Sequence, residues 1–358
     1  MPAKYLRKAY TSFATHIYDI PPRMVAFLSL IILALLPLTD LPTATLQTLI
    51  SLNFIAVLAV SWDFLVRSGQ ASLGHALFFG VGAYGTALLF KYFEWPPIVT
   101  IPLGVLAGVG IALLIGFPCL RVKGPYLAIV TFAFPLVLQG IVKFFPELGK
   151  DIGIRNLPRL FPTLTYSQRW FAEYYLSLAL MAISAAILYK IAYSKTGITF
   201  VSILDDELAT KACGINVSKY RVMAFVISGL FASLAGSVAA HTDLFQRRAT
   251  PTFLSTQYSF IPIIVAVLGG MATIYGPLVG AYIYTFIDSY ILKQMFNLDD
   301  WTRALIFILI VIILLIKWPR GIGRTIVEKL EDLEEPREIE EIERERARKR
   351  EEEPKSGE

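Results

Sequence analysis

A polytopic all-α transmembrane helical bundle is the fold class this sequence predicts, on three observations. The residues are 55% hydrophobic and only 17% charged, with a mean hydropathy of +0.59, which sets the chain apart from ordinary soluble domains. The apolar residues gather into about ten stretches, each near the roughly 17 to 25 residues needed to cross about 30 Å of hydrocarbon. Glycine and proline interrupt several of these stretches, and broken helices at membrane depth survive only when buried in protein or lining a cavity.

The spans are expected at 22–39, 45–66, 74–93, 97–117, 124–145, 171–193, 221–241, 257–273, 275–292 and 301–317, with a very short turn at 273–277 joining the eighth to the ninth. Lys4, Arg7, Lys8 and Arg23 precede the first span and only Asp40 follows it, which places the N-terminus in the cytoplasm. An even number of spans returns the C-terminus to the same side, where Lys317, Arg320 and Arg324 agree with it. The loop 143–169 opposes the rule with five basic residues on the outer side, but the first span usually dominates orientation. Residues 37–45 lack a small-residue cleavage pattern, so no cleavable signal peptide is expected. Three regions follow: a basic interfacial segment 1–23, a membrane domain 24–322 and a charged cytoplasmic tail 323–358. Tyr5, Tyr10, Phe13 and Tyr18 among the N-terminal lysines suit a segment lying on anionic lipid.

In the second span Asp63 stands one turn before Arg67, a pairing that would neutralise both at the inner membrane edge. A proton-coupling carboxylate is the alternative. Residues 68–89, SGQASLGHALFFGVGAYGTALL, are the centre of the chain. Ala76, Gly80, Ala83 and Ala87 give one helix face that is small throughout, which lets another backbone approach closely. Ahead of it Ser68, Gly69, Gln70, Ser72, Gly74 and His75 are too polar and flexible for a lipid-facing helix. With Gly80, Gly82 and Tyr84 they are the candidates for a translocation path, since discontinuous helices expose backbone groups to a passing solute. An ordinary cytoplasmic turn capped by Ser72 is the alternative.

Gly104, Gly108, Ala112 and Gly116 repeat the small-residue spacing in the fourth span, and Ser228, Ala232, Gly236 and Ala240 repeat it in the seventh; both predict tight helix seams. Pro118, Gly124 and Pro125 break the chain between the fourth and fifth spans. Between the sixth and seventh, residues 202–216 predict a short amphipathic cytoplasmic helix. Ser202 and Asp205 have the spacing of a capping box, Asp205, Asp206 and Glu207 crowd the first turn, Leu204, Leu208, Ala212 and Ile215 form an apolar stripe, and Gly214 ends the helix. Such a stripe needs a cover, either the bundle or lipid surface or a separate partner.

Cys119 and Cys213 are expected as small core residues on the reducing side. Two cysteines and three histidines supply neither a disulfide framework nor a metal cluster, and no cofactor is implied. The net charge of +5 flanks apolar spans rather than forming one patch, so no nucleic-acid partner is expected. The tail pairs Glu340 with Arg344 and Glu345 with Lys349 at i, i+4, which suits a solvated strip.

The wording of 68–85, of GPYLAIVTFAF at 124–134, of LGGMATIYGPLVGAY at 268–282 and of KWPRGI at 317–322 resembles the membrane permeases of branched-chain amino-acid ABC importers, in particular the LivM-type half of the LivH/LivM pair. Glu207, Ala209, Ala212, Gly214, Ile215 and Asn216 resemble that family's cytoplasmic coupling loop, although Leu204 stands where a basic residue is expected. The outer run ELGKDIGIRNLP at 147–158 departs from the family's Thr-Gly-Gly-rich pattern, and Thr273 is a milder departure. The resemblance implies a permease for branched-chain, hydrophobic amino acids in the inner membrane. Its partners would be a LivH-like second permease, two ATP-binding subunits and an extracytoplasmic solute-binding protein. Together with the amphipathic stripe and acidic first turn, it makes Asp205, Asp206, Glu207, Leu208, Ala212, Gly214 and Ile215 the candidates for coupling to an ATPase. The urea and amide branch of the family is the nearest alternative.

Two other classes compete. An ion-coupled carrier would hold acids or histidines near the midplane, whereas Asp63, His75 and Asp288 fall toward span ends. An intramembrane enzyme would need a convergent set, which no span supplies. No GxxxxGK[ST] occurs, so ATP hydrolysis would belong to another polypeptide.

Overall fold

The computed structural model describes residues 33–39, 42–119, 122, 124–296, 298–318, 321, 322 and 325. The expected interfacial segment 1–23, most of the span 22–39 and nearly all of the tail 323–358 lie outside these residues.

The described chain is helical, with no strand beyond a single bridge between Ile154 and Ala249. The helices are α1 (Thr43–Val66), α2 (His75–Phe93), α3 (Pro97–Cys119), α4 (Pro125–Phe144), α5 (Tyr166–Ala192), α6 (Lys195–Asp205), α7 (Glu207–Ala212), α8 (Val217–Ala239), α9 (Thr256–Gly269), α10 (Tyr275–Thr285) and α11 (Asp300–Lys317). Of these α1, α2, α3, α4, α5 and α8 are long and apolar enough to cross a membrane. At 14 and 11 residues, α9 and α10 are shorter than a full crossing. A π-helix, Phe286–Met295, continues α10 without a break.

Burial sorts the elements. On α1, residues 52–54 and 56–65 are all buried, including Asn53, Ser61 and Asp63, so this helix is the core of the bundle; it packs against α5, α8, α9 and α10. By contrast α3 and α4 bury only narrow stripes and expose Ile98, Leu114, Ile129 and Phe144. Large apolar side chains in such numbers suit lipid or a second membrane subunit.

The small-residue seams form as expected. Gly104, Gly108, Ala112 and Gly116 are the buried edge of α3, and they meet α2 and α8. A Cβ on Gly104 would stand 2.8 Å from the Gly82 carbonyl oxygen, and one on Gly236 would stand 1.9 Å from that of Phe79. Backbone meets backbone at these points, so only glycine fits.

Two expectations change. The turn between α9 and α10 occupies 270–274 rather than 273–277, because α9 already ends at Gly269 and α10 begins at Tyr275. Cys119 is buried, but Cys213 is exposed on the turn after α7, where no second layer covers it.

Candidate functional site

Residues 67–74, between α1 and α2, are non-helical and largely buried, and neighbouring helices hold them. Trp62 donates its indole N–H to the Ser72 carbonyl at 2.6 Å, and the Leu73 N–H goes to Thr131 Oγ1 of α4 at 3.0 Å. Gln70 donates to Ser68 Oγ and to the Arg221 carbonyl of α8, both at 2.9 Å. Ser72 Oγ accepts the Gly74 N–H at 3.1 Å. A buried, irregular backbone is thus satisfied by side chains from several helices, the condition under which it persists in a membrane. Gly69 and Ala71 are the exposed residues of the segment, Gly69 at a φ of +75° that glycine adopts without strain.

His75 opens α2 fully buried, its Nε2 2.9 Å from Ser61 Oγ of α1 and 3.3 Å from Ser228 Oγ of α8. It ties three helices at one point. Gly74, Gly80 and Gly82 each sit where a Cβ would collide, with Thr131 O at 2.2 Å, Leu254 Cδ2 at 2.3 Å and Ser233 O at 2.1 Å. Tyr84 is buried, and its hydroxyl has no hydrogen-bond partner among the described residues. The expected path residues are therefore a packed wall in this conformation.

The amphipathic segment 202–216 is two helices rather than one. Ser202 lies inside α6 and donates to the Ile198 carbonyl at 3.0 Å, so it caps nothing. Asp206 is the cap: extended at φ −151°, it ends α6 and accepts the N–H groups of Leu208 and Ala209 at 2.9 and 3.0 Å, starting α7. A carboxylate at that position also complements the positive helix end. Asp205 is the last, exposed residue of α6. Glu207 turns inward to Arg221 of α8 at 3.0 Å and to Lys211 at 2.6 Å. Gly214, at φ +81°, closes the turn after α7 with its N–H on the Lys211 carbonyl at 2.9 Å. Asn216, within a sequon pattern, accepts the Lys219 N–H and caps α8.

The stripe is laid open by this geometry. Leu208 is 76% exposed and Leu204 43%; Ala212 is exposed beside them and Ile215 half-buried. A Cβ on Gly69 would stand 3.7 Å from Leu204 Cα, so the two stretches singled out separately in sequence meet at one end of the bundle. A chain of contacts joins them: Glu207 to Arg221, and the Arg221 carbonyl to Gln70.

Asp63 and Arg67 do not pair with each other. Asp63 accepts the N–H groups of Ala272 at 2.5 Å and Ile274 at 3.0 Å, while Arg67 donates to the Ala272 carbonyl at 2.6 Å. Both charges are spent on the 270–274 turn, whose Ala272 and Ile274 have φ of +60° and +63°. Nothing in the local sequence signals this tie.

At the opposite end of the bundle, α1, α9 and the π-helix enclose a cavity of about 470 Å³ lined by Gln47, Ser51, Tyr258, Asp288 and Lys293 among others. An apolar cavity of about 690 Å³ adjoins it and shares Thr48, Leu52, Thr285 and Ser289. None of the expected path residues is in either lining. Near the same end, Asp243 draws in Arg159, Arg169 and Arg247 at 3.4, 3.0 and 3.2 Å, and its N–H goes to buried Glu173 at 2.6 Å. Charged residues scattered between the first turns of α5 and two loops carry no sequence sign of such a cluster.

Residues 44–314 match the family model described as branched-chain amino acid transport system / permease component. The chain is similar to the high-affinity branched-chain amino acid transport system permease protein LivM of Salmonella typhimurium, 26% identical over 290 residues that cover 66% of this chain and 67% of that one. LivM of Escherichia coli K12 matches with the same identity and coverage. A probable branched-chain amino acid transport permease protein LivH of Methanocaldococcus jannaschii is 26% identical over 220 residues, 59% of this chain and 68% of that one.

Proposed function

The chain belongs to the branched-chain amino acid transport permease family, and on that footing we propose that it is one membrane-spanning subunit of an ATP-driven importer for hydrophobic amino acids. The observation that carries the reading is the contact between the exposed α6–α7 pair and the polar entry to α2, through Glu207, Arg221 and Gln70. A push on α7 would reach the bundle interior through that chain without passing through flexible loop.

In this reading Asp205, Asp206, Glu207, Leu208, Ala212, Gly214 and Ile215 form the surface that a separate ATPase grips. Leu208 supplies the apolar anchor, Asp206 holds the helix start, and Gly214 fixes its end. The α6–α7 end is cytoplasmic, as are both termini. Ser68, Gly69, Gln70, Ser72, Gly74, His75, Gly80, Gly82 and Tyr84 form the inner part of the path, shut in this conformation by tight packing. The exposed apolar faces of α3 and α4 suit lipid or a LivH-like second permease. The remaining partners are a second ATP-binding subunit and an extracytoplasmic binding protein, and the assembly resides in the inner membrane with about ten spans in this subunit.

The test is uptake into proteoliposomes. This subunit, with its second permease, ATPases and binding protein, should accumulate leucine only with internal ATP and binding protein present. Accumulation driven by a proton or sodium gradient without ATP would instead indicate an ion-coupled carrier.

A further inference from the structure

We propose that the cavity between α1, α9 and the π-helix after α10 is a solute site of the permease itself, taking a small zwitterion with an apolar side chain. Lys293 anchors the carboxylate and Asp288 receives the ammonium. The proposal rests on the permease reading above and adds to it a selectivity that does not depend on the binding protein.

Three observations converge. The cavity, about 470 Å³, falls within the range of about 300 to 1,000 Å³ usual for small-molecule sites. Its wall is mixed: Gln47 and Gln257 are polar, Leu52 and Ile261 are apolar, and Asp288 and Lys293 carry opposite charges. This is the complement of an amino acid whose two charged groups sit at one end and whose side chain sits at the other.

The winding of the π-helix is the second observation. In an α-helix of 3.6 residues per turn, a residue five positions on lies about 140° round the axis, so Asp288 and Lys293 would face apart. Bonding from residue i to i+5 makes five residues about one turn, and such segments often mark functional sites. Here the Phe296 N–H reaches the Ile291 carbonyl, five residues back, at 3.1 Å, and Asp288 and Lys293 line the same cavity.

The third is the balance of charge. Asp288 is held by Arg303 of α11 at 3.6 Å, both side chains 16% exposed, whereas Lys293 is exposed and forms no ion pair among the described residues. Lys293 is the cation among the cavity's lining residues, so a carboxylate entering beside it meets a favourable field. An ammonium on the same solute then has Asp288 as its acidic partner in the lining. The site stands near the start of α1, about 30 Å along that helix from Arg67, at the end away from α6 and α7.

In the complete reconstituted transporter, Lys293→Met is expected to lower uptake of labelled leucine at least about tenfold, the effect of losing one charge-assisted hydrogen bond. The variant should insert and co-purify with its partner subunits as the wild type does, and Lys293→Arg should restore most of the uptake. Should Lys293→Met impair assembly, Gln257→Leu on the facing wall provides the second reading, with a smaller loss of uptake expected. Wild-type uptake in an assembled variant overturns the site. Failure of the wild-type transporter to take up leucine overturns the permease reading instead.

Discussion

The carboxylate of Asp63 accepts the backbone N–H of Ile274, 211 residues further along the chain, at 3.0 Å. This bond and its neighbour from Ala272 fasten the buried last turn of α1 to a turn held in a left-handed conformation. A β-branched residue at φ +63° is a genuine outlier, and left-handed non-glycine residues cost of order 1 to 3 kcal/mol each. Asp63 and Arg67 therefore act as a clamp on a strained turn.

Asp63→Leu should accordingly destabilise the protein by about 2 to 6 kcal/mol, since two buried N–H groups lose their acceptor at about 1 to 3 kcal/mol each. Asp63→Asn, which keeps one acceptor, should cost less. Thermal unfolding in detergent measures both, and equal melting temperatures for Asp63→Leu and wild type would contradict the clamp.

The glycines of α2 should differ in tolerance. At Gly82 the obstacle is the backbone carbonyl of Ser233, whereas at Gly80 it is the Cδ2 and Cγ of the buried Leu254 side chain, which can shift more readily than backbone. Gly82→Ala should cost about 1 to 3 kcal/mol by overpacking, Gly80→Ala less, and Leu88→Phe on the partly buried face little. Helix-resolved hydrogen exchange of α2 and α8 would register the order, and equal protection in the Gly82 and Gly80 variants would refute it.

Much of the bundle is legible in sequence because hydrophobic length and small-residue spacing are local quantities. The seams at Gly104, Gly108, Ala112 and Gly116 form from spacing alone. What escapes is non-local or degenerate. Ser202 and Asp205 satisfy the capping spacing as well as Asp206 does, and only the fold decides, because Ser202 is already bonded within α6 while Asp206 stands at the break. The partners of Asp63 lie over 200 residues away. The π winding after α10 leaves the hydrophobic pattern unchanged, so residues 275–292 read as one plain helix. Cys213 reads as core from its type, yet the turn that Gly214 closes lifts it into solvent.

Glu207 and Arg221 should be coupled. Their side chains are only 16% and 13% exposed, so the pair is less screened than a surface bridge, and a double-mutant cycle on Glu207→Gln and Arg221→Met should return an interaction of about 1 kcal/mol. The same variants should weaken solute-stimulated ATP hydrolysis more than basal hydrolysis. Additive effects on both would remove the pair from the route between α7 and α2.

The central claim is that α6 and α7 are the surface an ATPase grips, and Leu208→Asp tests it most directly. Leu208 is 76% exposed, so the change should leave folding and membrane insertion untouched while placing a charge in an apolar contact, which is costly without a partner. Affinity purification of the tagged variant from membranes should recover at least about tenfold less ATPase than wild type, a loss of about 1.4 kcal/mol or more. Recovery of ATPase equal to wild type, with the variant inserted normally, would contradict the account.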